Sequence, residues 1–240
     1  MVIPIVSLKG GVGKSTISMN LSDMLADYDK TIVIDTDQQN SIASLLCKRF
    51  KKGFSELIIG EATLNEVVQK AFDDGKLYFI PTGHYAITHP IEFEDSITEE
   101  KLIKIFKELE KDFKYIILDT PPRISKHVKS LLNISDFFIV VISPDPASVA
   151  SLKIFLDYLK KERLDNKFSI IVNNLEPNEV SEDIYAFIQA ITQNNIIGTL
   201  PKDVSVLESE ANCTTVRRYD KESGFVHYLE DIVKKLLKIL

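Results

Sequence analysis

Lys9-Gly10-Gly11-Val12-Gly13-Lys14-Ser15-Thr16 decides the fold, because it stands between the apolar run Val2-Ile3-Pro4-Ile5-Val6 and a stretch of helical periodicity. A strand, a glycine turn and a helix in that order build a cradle for phosphate. The glycines let backbone N–H groups turn inward around phosphate oxygens, Lys14 adds positive charge toward the β- and γ-phosphates of a nucleotide, and Ser15 offers a hydroxyl to Mg²⁺ at the helix N-terminus. Gly10, Gly11, Val12, Gly13, Lys14, Ser15 and Thr16 are therefore candidate cofactor-binding residues, with Ser15 also a metal ligand.

Working outward, apolar β-rich runs alternate with helical patterns along almost the whole chain. Thr31–Asp35, Leu77–Pro81, Tyr115–Asp119, Phe137–Ser143 and Phe168–Asn173 read as strands. Their apolar residues run nearly without interruption, which points to a mainly parallel sheet covered on both faces; βα alternation over this length predicts an α/β, doubly wound fold with helices on both faces. Pro4 argues mildly against the first strand, since proline cannot donate to a ladder. The loop after it requires that strand all the same. Between Lys51 and Asp95 the pattern loosens, and Gly53, Gly60, Gly75, Pro81, Gly83 and Pro90 predict longer loops on the ligand side. At 240 residues and 27.2 kDa the chain suits one α/β domain over residues 1–240.

Two acidic motifs close strands. Ile32-Val33-Ile34-Asp35-Thr36-Asp37-Gln38-Gln39 ends in two carboxylates one residue apart, and Tyr115-Ile116-Ile117-Leu118-Asp119-Thr120-Pro121-Pro122 ends in one. In an open α/β sheet, ligands gather at the carboxyl ends of strands. Asp119 can hold Mg²⁺ directly or through water, as a hard cation wants oxygen ligands. Alone, each motif also suits a helix cap or a proline turn.

Together these residues resemble the ParA/MinD family. Leu8 replaces the first glycine of the usual G-x-x-x-x-G-K-[ST], and K-G-G-x-G-K-[ST] resembles that family's deviant Walker A motif, within the P-loop NTPase fold. The resemblance implies that Lys9 reaches across an ATP-sandwich homodimer to the partner subunit's phosphates and acts catalytically with Lys14. It implies that Asp35 lies near the metal's water shell and that Asp37 orients or activates the attacking water for ATP hydrolysis. The D-x-D segment departs from the family's D-x-D-P-Q at Gln38. Thr120-Pro121-Pro122 resembles the family's γ-phosphate sensor, Asn173 at a strand end suits the adenine edge, and Pro201 and Asp203 in Thr199-Leu200-Pro201-Lys202-Asp203 resemble its adenine-flanking loop.

The resemblance runs from Val2 through the final helix and is strongest to small ParA proteins. It implies ATP and Mg²⁺ as cofactors, non-specific DNA binding by the ATP dimer, and a ParB-like centromere-binding partner that stimulates hydrolysis to segregate plasmid or chromosome DNA. A net charge of −6 and pI near 5.3 argue against a constitutively basic nucleic-acid binder and leave room for a local basic patch. DNA binding would then depend on pairing two weak patches by dimerisation. Arg217, Arg218 and Lys221 are the first candidates for DNA contacts, with Lys126, Lys129, Lys160, Lys161 and Arg163 behind them.

The alternative is a MinD-like ATPase held on a membrane surface by the last segment. There Leu229, Ile232, Val233, Leu236, Leu237 and Leu240 form an apolar stripe with Lys234, Lys235 and Lys238 elsewhere. Glu230 and Asp231 dilute the basic face, and such a stripe is more often a docked helix, so membrane binding is the less favoured reading. No apolar run of spanning length and no cleavable leader is seen, which points to the cytoplasm, nucleoid-associated by resemblance. Cys47 and Cys213 look too few and too far apart for a disulfide framework or a metal site, and Cys47, in an apolar helical run, is expected to pack in the core. They also lack the pattern of a cluster-bridging member of the superfamily.

Overall fold

The computed structural model describes residues 1–193 and 195–240. In chain order the elements are β1 (Val2–Val6), α1 (Lys14–Leu25), β2 (Thr31–Asp35), α2 (Ser41–Leu45), α3 (Phe54–Ile59), α4 (Leu64–Val67), β3 (Gln69–Lys70), β4 (Leu77–Ile80), α5 (His84–Thr88), α6 (Pro90–Ser96), α7 (Glu99–Leu109), β5 (Tyr115–Asp119), α8 (Lys126–Ile134), β6 (Phe138–Ile142), α9 (Pro146–Glu162), β7 (Phe168–Leu175), α10 (Glu179–Ile191), β8 (Ile196–Pro201), α11 (Val204–Ala211), α12 (Val216–Tyr219) and α13 (Gly224–Ile239).

The strands form one sheet in the order β3-β4-β2-β5-β1-β6-β7-β8, parallel throughout except for the short edge strand β3. This is the expected doubly wound architecture. Strand side chains alternate between faces: Ile3 and Ile5 pack with Ile17, Leu21, Phe225, Leu229 and Leu236 on one side, while Val2, Ile32, Ile34, Ile116 and Leu118 pack with Phe54, Phe93, Leu102 and Phe106 on the other. A third cluster joins Val6, Phe138 and Val140 to Leu152, Phe155 and Leu159 of α9. Pro4 sits in a central strand without penalty, because the β1–β6 register covers only Ile5↔Ile139 and Val6↔Val140.

Two sequence expectations need correction. The Lys51–Asp95 region is built of short helices and the strands β3 and β4 rather than long loops. The buried Glu56 carboxylate ties them together, accepting from the Gly53 N–H at 2.8 Å and the Tyr85 N–H at 2.6 Å, so a side chain distant from the motifs supplies order that the glycines and prolines concealed.

The cysteines are the second correction. Cys47 and Cys213 form a disulfide, with Cα atoms 5.4 Å apart across 166 residues of sequence. Cys47 is exposed, just past α2, and Cys213 lies in the turn after α11. Both take positive φ, 49° and 57°, the turn geometry that ends their helices and aims the side chains at each other. Linear distance misled here, because disulfide geometry is set by Cα separation in space.

Candidate functional site

β1 lies between β5 and β6, so its carboxyl end opens at the centre of the sheet, where the glycine turn begins. Gly11 and Gly13 have φ of 77° and 87°, and Gly13 starts α1 directly. A β-carbon on Gly13 would sit 2.2 Å from the Asn173 amide nitrogen, so both conformation and space require glycine. Asn173 donates to the Val12 carbonyl at 2.8 Å and thereby pins the loop from β7. That bond uses one of the two amide hydrogens of Asn173.

The acidic motifs converge on this loop. Asp35 and Asp119 are register partners at the ends of β2 and β5, and both are fully buried. Lys14 Nζ lies 2.7 Å from Asp119 Oδ1, which also accepts from Ser18 Oγ at 3.0 Å. Asp119 Oδ2 is buried with no partner. Asp35 accepts from the Asp37 and Ile42 N–H groups at 3.0 and 2.9 Å. Burial and then the neighbouring Asp119 carboxylate push Asp35 well above the usual carboxylate range, against those hydrogen bonds and the Lys14 charge. Burial raises Asp37 as well, opposed by its bond from the Gln39 N–H. A buried oxygen without a partner, in a group of carboxylates short of positive charge, suits a hard divalent cation. Lys14, Ser15 and Asp37 line a cavity at the glycine loop.

That cavity, about 740 Å³, is lined by the whole glycine loop with Asp37, Pro122 and Glu210. A second, about 400 Å³, adjoins it and is lined by Asn173, Asn174, Pro201, Asp203 and Leu207. A larger one of about 850 Å³ lies against Leu57, Tyr78, Lys104 and Phe113, away from the glycine loop and the strand-end carboxylates, so size alone does not mark the phosphate site. Asp203 caps α11 through the Ser205 N–H and also receives Ser223 Oγ at 2.7 Å and the Phe225 N–H at 3.1 Å. Although burial opposes it, hydrogen bonding from Ser205 and Ser223 holds Asp203 down to about 2. This carboxylate fixes the α11 and α13 entrances beside the cavity.

Lys9 does not point into empty solvent. Its Nζ pairs with Asp145 Oδ1 at 2.9 Å, and Asp145 caps α9 by accepting from the Ser148 N–H at 3.0 Å. Despite a burial contribution upward, bonds from Ser143, Ser148 and Lys9 keep Asp145 well below the usual carboxylate range. The cap is legible as Asp145-Pro146 opening a helix; its pairing with Lys9 is not. Ser18 and Glu210 carried no sequence signal at all.

The basic candidates separate. Arg217 pairs with Asp23 and Asp27, and Arg218 with Asp23 and Asp74 while stacking on Phe72 with its guanidinium 4.0 Å from the ring centroid. Both would have to abandon carboxylates to meet a phosphate. Asp23 is fully buried, and a buried charge needs such partners. Lys221 is exposed. Lys160, Lys161 and Arg163 are exposed at the end of α9 with no ion pair among the described residues, and Lys129 of α8 lies 5.0 Å from the Tyr158 ring of α9.

The final helix buries Phe225, Val226, Leu229, Ile232, Val233 and Leu236 against the sheet and α1. No helix among the described residues is long and apolar enough to cross a membrane.

Residues 1–172 match a family described as an AAA domain. The septum site-determining protein MinD of Escherichia coli K12 is 30% identical over all of this chain and 98% of its own length. Two solved structures share the fold: a putative plasmid partition protein of Borrelia burgdorferi bound to AMPPNP (24% identity, TM-score 0.84, 100% of this chain and 99% of that one) and MinD of Pyrococcus horikoshii complexed with Mg-ADP (21%, 0.81, 99% and 96%). With motifs, sheet order and relatives in agreement, the chain belongs to the ParA/MinD family of P-loop ATPases.

Proposed function

We propose that this chain is an Mg²⁺-dependent ATP hydrolase that closes into an ATP-sandwich homodimer, binds duplex DNA without sequence preference in that state, and lets go when a ParB-like partner stimulates hydrolysis, so that plasmid or chromosome DNA is segregated. The observation that supports the nucleotide chemistry is the buried Lys14–Asp119 pair with its orphaned Asp119 oxygen beneath the glycine loop. Nucleotide-bound relatives of the same fold agree with it.

Lys14 would leave Asp119 for the β- and γ-phosphates, freeing the carboxylate for the cation side of the site. Asp119, Asp35 and Ser15 are the residues that would hold Mg²⁺, which when bound neutralises phosphate charge. Asp37, on the wall of the phosphate cavity, would orient the attacking water; its raised pKa brings it closer to that of a base working near neutrality. Lys9 would exchange Asp145 for phosphates across the dimer.

DNA is favoured over membrane as the surface because Leu229, Ile232, Val233 and Leu236 of the α13 stripe are already buried in the core. The α8–α9 cations are better placed for phosphate contacts than the paired Arg217 and Arg218. A membrane-surface role is the second reading, supported by the full-length similarity to MinD. Co-sedimentation with random duplex DNA and with anionic vesicles, under ATP–Mg²⁺, ADP–Mg²⁺ and no nucleotide, separates the two. Capture by DNA only with ATP supports segregation; capture by vesicles alone overturns it in favour of surface positioning.

A further inference from the structure

We propose that the Cys47–Cys213 disulfide is a redox clamp on the phosphate cavity: closed, it retains the bound nucleotide, and its cleavage by a dithiol reductant speeds nucleotide release. This rests on the nucleotide-binding reading above. The bond joins two segments that wall the same cavity. Cys47 lies just past α2, which contributes Ser41, Ser44 and Leu45 to the lining, and Cys213 lies three residues after Glu210 of α11, which also lines it. A helix of five residues has little stability of its own, so its attachments decide where α2 sits. Its start is tied to the buried Asp35 carboxylate through the Ile42 N–H at 2.9 Å. Ile42, Ala43 and Leu46 pack in the core, but apolar contacts have no fixed direction. Among the described residues no hydrogen bond or ion pair links 41–48 to 204–215, so the covalent bond is what sets the spacing of the two walls.

The bond is also open to chemistry. Exchange requires a thiolate to reach one of the two sulfurs, and exposed disulfides are the labile ones. Cys47 is exposed and Cys213 half-buried, and the exposed cations Lys48 and Arg49 follow Cys47 directly, an electropositive setting that draws an incoming thiolate anion. The attacking thiolate bonds to Cys47 Sγ while the S–S bond breaks and its electron pair leaves on Cys213, which takes a proton from water. The second thiol of the reductant then displaces Cys47. The products are two cysteine thiols and one disulfide of the reductant, so the protein gains two electrons and two protons and the dithiol loses them. With the cross-link gone, the α2 and α11 walls move apart independently and the cavity opens.

Dissociation of tritiated ADP, chased with excess unlabelled ADP in Mg²⁺, tests this without turnover. Wild-type protein treated with a dithiol should release ADP about tenfold faster than untreated protein, since changes at a binding site act mostly on the rate of dissociation. Cys47→Ser should release at the fast rate with and without the dithiol. Equal rates for oxidised and reduced wild type, a comparison that needs no variant to fold, would overturn the inference alone, as would acceleration by the dithiol that persists in Cys47→Ser. Circular dichroism at the assay temperature accompanies each rate: a native spectrum after reduction is expected, and loss of the fold would make the bond a general staple and overturn its role as a clamp. If oxidised wild type retains no ADP at all, the nucleotide reading itself falls and takes the inference with it.

Discussion

Asp35 and Asp119 face each other across the β2–β5 ladder, both without solvent exposure, and one lysine, Lys14, lies within bonding distance of Asp119. Two carboxylates sharing one positive charge cannot both ionise cheaply in a buried site. The cluster is therefore under electrostatic tension that phosphate withdrawal of Lys14 would increase and a divalent cation would relieve.

The tension has a pH signature. Asp35 is raised in the folded protein, so between the unfolded value and the folded one the native state binds more protons than the unfolded chain, and stability falls as pH rises through that window. Urea unfolding of wild type and Asp35→Asn from pH 4 to pH 7, without metal, should show the wild type losing ground to the variant as pH increases. A pH-independent difference would contradict the assigned shift.

Lys14→Ala should do two things at once. It removes the charge directed at phosphate, abolishing nucleotide binding, and it leaves Asp119 buried without its partner, at about 3–5 kcal/mol of stability. Asp37→Ala, by contrast, should keep ATP binding, stop hydrolysis and accumulate dimers. Nucleotide titration, unfolding and size-exclusion chromatography with ATP read the three effects; normal turnover by Asp37→Ala would remove that carboxylate from the mechanism.

The two loop glycines should not be equivalent. Gly11→Ala meets no atom within 4 Å and suffers only the positive φ, about 1–2 kcal/mol. Gly13→Ala adds a collision with the Asn173 amide and should lose both more stability and all nucleotide binding. Thermal unfolding of the two variants side by side gives the order, and Asn173→Ala should recover part of the Gly13→Ala loss by removing the obstruction.

The disulfide closes a loop spanning 166 residues. Such a cross-link stabilises mainly by restricting the unfolded chain, by about 4–5 kcal/mol for a loop of this length. A dithiol reductant should lower the melting temperature of wild type, leave Cys47→Ser unaffected, and bring the two curves together. Two titratable thiols in the unreduced, unfolded protein would rule the bond out.

Legibility in the sequence followed the range of the interactions concerned. Six of the strands announce themselves through runs such as Ile32-Val33-Ile34 and Ile116-Ile117-Leu118, because a strand covered on both faces has little room for polar side chains. The two missed strands are short or mixed: β3 has two residues at an edge, and β8 is interrupted by Gly198, where a β-carbon would strike Ile232 of α13. The glycine loop was readable because its backbone demand is local. The disulfide, the Lys9–Asp145 pair and the Arg217–Asp23 pair join residues 136 or more positions apart, and no local pattern marks such partners.

The sequence by itself determined the layered α/β fold and the presence of a phosphate loop with carboxylates at neighbouring strand ends. Apolar periodicity and the conformational freedom of glycine act over a few residues and survive in any context. Only the tertiary structure decided which charges meet: that Lys14 rests on Asp119, that Arg217 and Arg218 serve buried Asp23, that the stripe of α13 faces the core, and that Glu210 stands between two cavities. Electrostatic and hydrogen-bond partners are chosen by distance in space and by burial, and both exist only once the sheet has assembled.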